Sequence, residues 1–229
     1  MPDVEAHITG TVWKIECEVG QEVEEGDTLA ALPQARVLVA DDASTDRTPE
    51  IAREAGAELV RTERRLGKGG ANTRAAEHLL TDGAQPAVVL LCDGDLGSSA
   101  VALSALVHTV TSGTADIAVA TFARRVGGGF GLALGFARRA VEKRAGRYLE
   151  APLSGQRALT TEALRKVLPF APGFGMETAM DIDALRAGLT LVEVELDLEH
   201  RATGRTATGF LHRGRQLADI ARVYLSRRA

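Results

Sequence analysis

The chain has 229 residues, a formal net charge of -4, 45% hydrophobic residues and 4% aromatics. Its length and apolar content suit one α/β body with its own core, while the lack of a polycationic balance and the few aromatics argue against a nucleic-acid binder. Two cysteines, Cys17 and Cys92, without metal-ligand spacing point to a reduced, cytoplasmic protein, and no apolar run is long enough to span a bilayer.

The first thirty-three residues differ from the rest. In Trp13-Lys-Ile-Glu-Cys-Glu-Val19 charged and apolar residues alternate, the pattern of a half-exposed strand, and Gly20 and Gly26-Asp27 supply turns. Residues 1–33 are expected as a small β-element and residues 34–229 as an α/β body, with Pro33-Gln34 as the seam. From residue 36 onward the pattern predicts strands over 36–41, 57–61, 88–92, 116–122 and 190–196. Between and after them it predicts helices over 48–55, 71–80, 98–110, 132–147, 162–168, 177–187 and 209–228. Thr48-Pro49-Glu50 offers an N-cap, a proline at the first helical position and an early acid. Gly67-Lys-Gly-Gly70 reads as a flexible loop, and residues 153–160 as a strand or a turn. Alternation of this kind predicts a mostly parallel sheet flanked by helices, with right-handed crossovers.

Two of the predicted strands end in acids. Val37-Leu-Val-Ala-Asp-Asp-Ala-Ser-Thr-Asp46 and Val88-Val-Leu-Leu-Cys-Asp-Gly-Asp95 are apolar runs that close on carboxylates. In an open α/β sheet ligands bind at the carboxyl ends of strands. Two carboxylates one residue apart can share a hard divalent cation, which neutralises a diphosphate.

These motifs resemble a known family. The string around Asp41, Gly67-Lys-Gly-Gly70 and Asp93-Gly-Asp-Leu96 look like the nucleotide-binding half of GT-A, Rossmann-like, family-2-like glycosyltransferases. Ser154-Gly-Gln-Arg157, Gly173-Phe-Gly-Met-Glu177 and Glu199-His-Arg201 are similar to the acceptor half in glucosyl-3-phosphoglycerate and dolichyl-phosphate-sugar synthases. The resemblance implies a GT-A-like α/β fold and transfer of a sugar from a nucleoside-diphosphate sugar with Mg²⁺ or Mn²⁺. It implies that Asp41, Asp42 and Ser44 lie at the nucleoside and that Lys68 and Gly69 lie near the base or the diphosphate. Asp93, Gly94 and Asp95 form the acidic pair's turn, with Asp93, Asp95 and His200 as metal ligands. Glu177 orients or deprotonates the acceptor, while Arg157 and Arg201 meet the leaving diphosphate through guanidinium forks. Plainer readings stand beside these: Asp41 and Asp42 capping a loop, Lys68 as a solvated lysine, Glu177 favouring its helix start, and His200 merely packing.

Two departures qualify the resemblance. The family opens with a strand ending in a Pro-Ala-x-Asn-Glu string, and none precedes Arg36. Instead Gly10-Thr-Val-Trp-Lys-Ile15, Val19-Gly-Gln-Glu-Val23 and Glu25-Gly-Asp-Thr-Leu29 look like half of a biotinyl/lipoyl carrier. Lys14 is the only lysine before Lys68 and lies inside the alternating strand, so neither biotin nor lipoate is expected. Burying Lys14, Glu16 and Glu18 in a covered sheet would be costly, so this fragment is expected as a separate layer that leaves the strand at 36–41 uncovered. Second, Phe130 and Gly131 stand where the phosphoglycerate enzymes carry arginine and threonine, which speaks against 3-phosphoglycerate as acceptor. A small-molecule or lipid-linked acceptor fits the resemblance equally.

The last predicted helix spaces Phe210, Leu217, Ile220, Ala221 and Tyr224 on one face, among Arg213, Arg215, Arg222, Arg227 and Arg228. It reads either as a helix packed on the body or as a basic segment making peripheral membrane contact. A homodimer is a candidate assembly. The rival to an active transferase is a nucleotide-sugar-binding protein that lost catalysis with its first βα unit.

Overall fold

The computed structural model describes residues 12–13, 35–81, 86–94, 96–122, 131–198 and 207–228. Its strands are β1 (Val12–Trp13), β2 (Leu38–Asp41), β3 (Glu58–Arg61), β4 (Val88–Leu91), β5 (Ile117–Phe122), β6 (Arg157–Thr160) and β7 (Leu191–Leu196). Its helices are α1 (Thr48–Glu54), α2 (Lys68–Thr81), α3 (Ser104–Thr111), α4 (Leu132–Ala145), α5 (Thr161–Val167), α6 (Met176–Arg186) and α7 (Ala207–Ser226). Two 3-10 turns, Gly97–Leu103 and Gly173–Gly175, lead into α3 and α6.

The strands order as β1-β2-β3 and β4-β6-β5-β7, and β1 also lies beside β4, so the two sheets meet there. β2 with β3 and β5 with β7 are parallel, but β6 runs antiparallel to both β4 and β5. The sheet is therefore mixed rather than mostly parallel. An apolar run carries no mark of its direction, and the turn before β6 brings the chain back between β4 and β5.

β4 shows why both faces are covered. Val89 and Leu91 join the core beneath α2, α5 and α6, with Leu79, Leu159, Leu164 and Met180. Val88 and Leu90 join the core beneath α3, with Leu103, Leu106 and Leu196. All four residues are buried, as a continuous apolar run requires.

The expected separate N-terminal layer is corrected at one point. Val12 pairs with Val39 and Trp13 with Leu38 in an antiparallel ladder, so two residues of the fragment lie along β2 instead of leaving it uncovered. Both are uncharged, so this pairing brings no charge into the sheet. Lys14, Glu16 and Glu18 lie outside the described residues, as does the rest of the carrier-like pattern. A smaller shift concerns α1: Thr48 lies inside the helix, Arg47 is its N-cap residue, and Asp46 Oδ1 accepts the Thr48 N–H at 3.0 Å.

α7 packs on α4, α6 and the Gly173–Gly175 turn, burying Ile220 and Val223. Arg222 pairs with Asp219 and Arg227 with Asp183, so part of the basic face is neutralised within the body. Leu217 and Leu225 stay exposed. Among the described residues no helix is long and apolar enough to cross a membrane.

Candidate functional site

Four segments converge at the carboxyl end of β4. β4 delivers Asp93, the N-terminus of α2 delivers Lys68, the turn before β6 delivers Gln156, and the start of α6 delivers Glu177. The expected glycine loop is already helix, because α2 begins at Lys68. A Cβ on Gly69 would lie 1.8 Å from the Ala171 carbonyl oxygen, so glycine alone lets this first turn press against the backbone that precedes α6.

That approach places Lys68 between two carboxylates. Its Nζ lies 2.8 Å from Asp93 Oδ1 and 2.8 Å from Glu177 Oε1. Burial alone would push the lysine pKa down; Glu177 and Asp93 outweigh it and hold the ammonium well above its ordinary value. Gln156 grips Asp93 twice. Its Nε2 donates to Asp93 Oδ2 at 3.2 Å, and its Oε1 accepts the Asp93 N–H at 3.0 Å. A Cβ on Gly155 would fall 2.6 Å from Asp93 Oδ2 and 2.8 Å from Lys68 Nζ, so a side chain there would push on the ion pair.

The acids after β2 are arranged differently. Asp42 Oδ1 accepts the Leu66 N–H at 2.6 Å, and its Oδ2 accepts the Gly67 N–H at 2.8 Å. Asp42 therefore fixes the segment that presents Lys68. Asp41 is 1% exposed and Oδ1 accepts the Ser44 N–H at 3.1 Å. Among the described residues its Oδ2 has no hydrogen-bond partner; it lies 3.2 Å from Arg61 Nε, a charge contact only. Arg61 also donates to the Ser44 carbonyl at 2.7 Å, lying across the Asp41–Ser44 edge.

Arg157 requires a correction. Contact with a leaving diphosphate needs an exposed guanidinium, and Arg157 is 0% exposed. It donates to both oxygens of Asp181 and, through Nε, to the Ser154 carbonyl at 2.8 Å. The pair fixes the Ser154–Gln156 turn from within the core. Burial pushes the Asp181 carboxyl up to about 6; Arg157 pulls against this, and Glu193 and Glu177 add to it. Gly155 and Gln156 stood in the Ser154–Arg157 string without roles of their own, and Asp181 was missed from the sequence. The signal for Asp181 was its place four residues after Glu177 on one helix face, where a buried acid needs a buried cation.

Gly94 follows Asp93 in the same turn. Asp95, His200, Arg201 and the 127–130 glycine stretch lie outside the described residues. Among the described residues no group of three His, Cys, Asp or Glu side chains is placed to hold a metal. Asp93, the one described ligand of the expected three, is a hard oxygen donor a third exposed at a strand end, which suits Mg²⁺ or Mn²⁺.

Residues 27–161, more than half of the chain, match the family Glycosyl transferase family 2. The protein belongs to that family. This family-2 chain is 30% identical over 174 residues to glycosyltransferase AglJ of Haloferax volcanii, covering 74% of this chain and 56% of the relative. It thus spans little more than half the length of that curated relative. Its fold is similar to glucosyl-3-phosphoglycerate synthase of Mycobacterium tuberculosis solved with Mn²⁺, UDP and glucosyl-3-phosphoglycerate, at TM-score 0.65 and 27% identity, over 83% of this chain and 67% of that one. The same enzyme solved with Mn²⁺ and UDP-glucose matches at TM-score 0.63 and 27% identity, over 83% and 66%. With Mg²⁺ and UDP it matches at TM-score 0.64 and 27% identity, over 83% and 66%. The family-2 assignment and the GT-A-like α/β fold expected from the motifs stand together.

Proposed function

We propose that the protein transfers a sugar from a nucleoside-diphosphate sugar to a small or lipid-linked acceptor, with the diphosphate received at Lys68. The observation that carries this reading is an ammonium held between Asp93 and Glu177 at the carboxyl end of β4. In the reaction the bond from the sugar's anomeric carbon to the β-phosphate oxygen breaks and the nucleoside diphosphate leaves with the electron pair. The acceptor oxygen bonds to that carbon and gives up its proton.

Each described residue has a place in this scheme. Lys68 turns its ammonium to the diphosphate oxygens, a contact that strengthens as negative charge develops on the leaving group. Gln156 keeps Asp93 facing the site. Glu177, released from Lys68, orients the acceptor hydroxyl or takes its proton. Arg61 swings away from the Asp41–Ser44 edge, freeing Asp41 Oδ2, which it faces at 3.2 Å, for a base N–H. Asp93 would hold the divalent ion with Asp95 and His200, and Arg201 would add a cation. The ion, when bound, neutralises charge on the departing diphosphate. That the related mycobacterial enzyme was solved with Mn²⁺ or Mg²⁺ and UDP supports the metal assignment.

A donor screen tests the reading: release of UDP, GDP or ADP from their sugars is measured with and without Mn²⁺. Metal-dependent release from at least one donor is expected; none from any donor, with no donor binding, contradicts it. A second reading is a donor-binding protein impaired in catalysis. It is favoured by β1, two antiparallel residues where the resembled fold carries its first strand. Metal-dependent binding without turnover against any acceptor identifies that case.

A further inference from the structure

Backbone stacks on backbone beside the Lys68 cluster, and α7 closes the stack from outside. Gly69 presses on the Ala171 carbonyl from one side of the segment leading into α6. On the other side, a Cβ on Gly173, whose φ is +64°, would fall 2.3 Å from Asp219 Oδ2. One on Gly175 would fall 2.6 Å from Val223 Cγ2. A side chain at Gly173 would displace the Asp219 carboxylate, and one at Gly175 would crowd Val223 and the α7 backbone. Asp219 Oδ2 accepts the Phe174 N–H at 3.1 Å, and its Oδ1 takes Arg222. The turn it holds runs straight into α6, whose second residue is Glu177.

We propose that Asp219 is a positioning residue for the transfer site: its carboxylate fixes the Gly173–Gly175 turn so that Glu177 enters α6 within reach of Lys68. The N–H groups at the start of a helical turn have no partner of their own. A carboxylate there makes a charge-assisted bond roughly twice as strong as a neutral one. Val223 of α7 also packs on the turn at Gly175, but the other polar anchors of the helix lie elsewhere. Arg227 Nε donates to Asp183 at 2.7 Å, Arg144 donates to the Tyr224 carbonyl at 2.9 Å, and the Arg144 guanidinium lies 3.8 Å from the Tyr224 ring centre. Arg227 anchors α7 through Asp183, away from the turn, so loosening it separates docking of the helix from the hold of Asp219 on the turn. The consequence for catalysis rests on the transferase reading above; the consequence for Glu177 does not.

Three variants of the full chain test this: Asp219→Ala, Asp219→Asn, which keeps an acceptor oxygen, and Arg227→Ala, which loosens α7 away from the turn. Two readouts need no activity: amide exchange at Phe174, and carbodiimide labelling of Glu177, whose side chain is now 7% exposed. Asp219→Ala should speed both about tenfold, Asp219→Asn should recover most of each, and Arg227→Ala should leave Glu177 labelling at the parent level. With a donor that turns over, Asp219→Ala should lower kcat while donor KM stays near the parent value. Unchanged Glu177 labelling in Asp219→Ala, or an equal rise in Arg227→Ala, overturns the proposal. If the parent turns over no donor, the exchange and labelling results still decide it, so the two failures are distinguishable.

Discussion

The ends of β2 and β4 look alike as strings of letters and behave differently as structure. At the end of β2 the Asp42 carboxylate is occupied by backbone N–H groups of the same body, at 2.6 and 2.8 Å. At the end of β4, Asp93 is held by the side chains of Lys68 and Gln156. A backbone partner cannot leave without unfolding a loop, whereas an ammonium on a flexible stem can turn to a phosphate. On the proposed reading, Asp93 can serve as a ligand because its side-chain partners can exchange.

The largest expected effect lies beneath both ends. Arg157→Met leaves Asp181 buried without its cation and should cost about 3–5 kcal/mol of stability, read by urea denaturation. The double variant Arg157→Met with Asp181→Leu should recover most of the loss. If the double variant is stable yet binds donor far more weakly than the parent, Arg157 acts on the ligand after all, and its correction fails.

Asp42→Ala breaks the comparison from the other side. It strands the Leu66 and Gly67 N–H groups and should cost about 1–3 kcal/mol, whereas Asp93→Asn should change stability by less than about 1 kcal/mol. Equal losses in the two variants would mean that the β4 end is as structural as the β2 end.

The pH dependence is smaller and has a definite sign. Asp181 stands at 3.8 when unperturbed and is raised to about 6 in the folded chain, so the native state holds its proton more tightly than the unfolded chain does. Its contribution to stability is complete below 3.8 and is lost as pH rises through about 6. Asp181→Asn should therefore lose less stability than the parent between pH 4 and pH 7 in denaturant titrations. Identical slopes would mean that Asp181 titrates normally.

The smallest effect expected is at the membrane. With Ile220 and Val223 buried and Arg222 and Arg227 paired, α7 should show little co-sedimentation with anionic vesicles at low salt. Strong binding would restore the peripheral-membrane reading and point to a lipid-linked acceptor.

Much of the fold was legible because buried strands are continuous apolar runs: β2, β4, β5 and β7 lie within a residue or two of their expected bounds. The direction of β6 was not legible, since direction depends on the path of the connection rather than on the strand. Gly69 and Gly70 read as a loop because glycine disfavours helix; contact with Ala171 overrides that preference. Arg157 was misread for a similar reason. Arginine is almost never fully buried unless paired, and its partner stands 24 residues away on another element. Lys68, Asp93 and Glu177 were legible as candidates, but not that one ammonium joins the two acids.

The role proposed for the Lys68–Asp93–Glu177 cluster is to receive the diphosphate of the donor. Calorimetric titration of UDP, GDP and ADP into the parent and into Asp93→Asn, with and without Mn²⁺, tests it most directly. The parent should bind at least one nucleotide in a Mn²⁺-dependent way, and Asp93→Asn, as stable as the parent, should bind it about tenfold or more weakly, a loss of about 1.4 kcal/mol or more. Equal Mn²⁺-dependent affinity in parent and Asp93→Asn would contradict it.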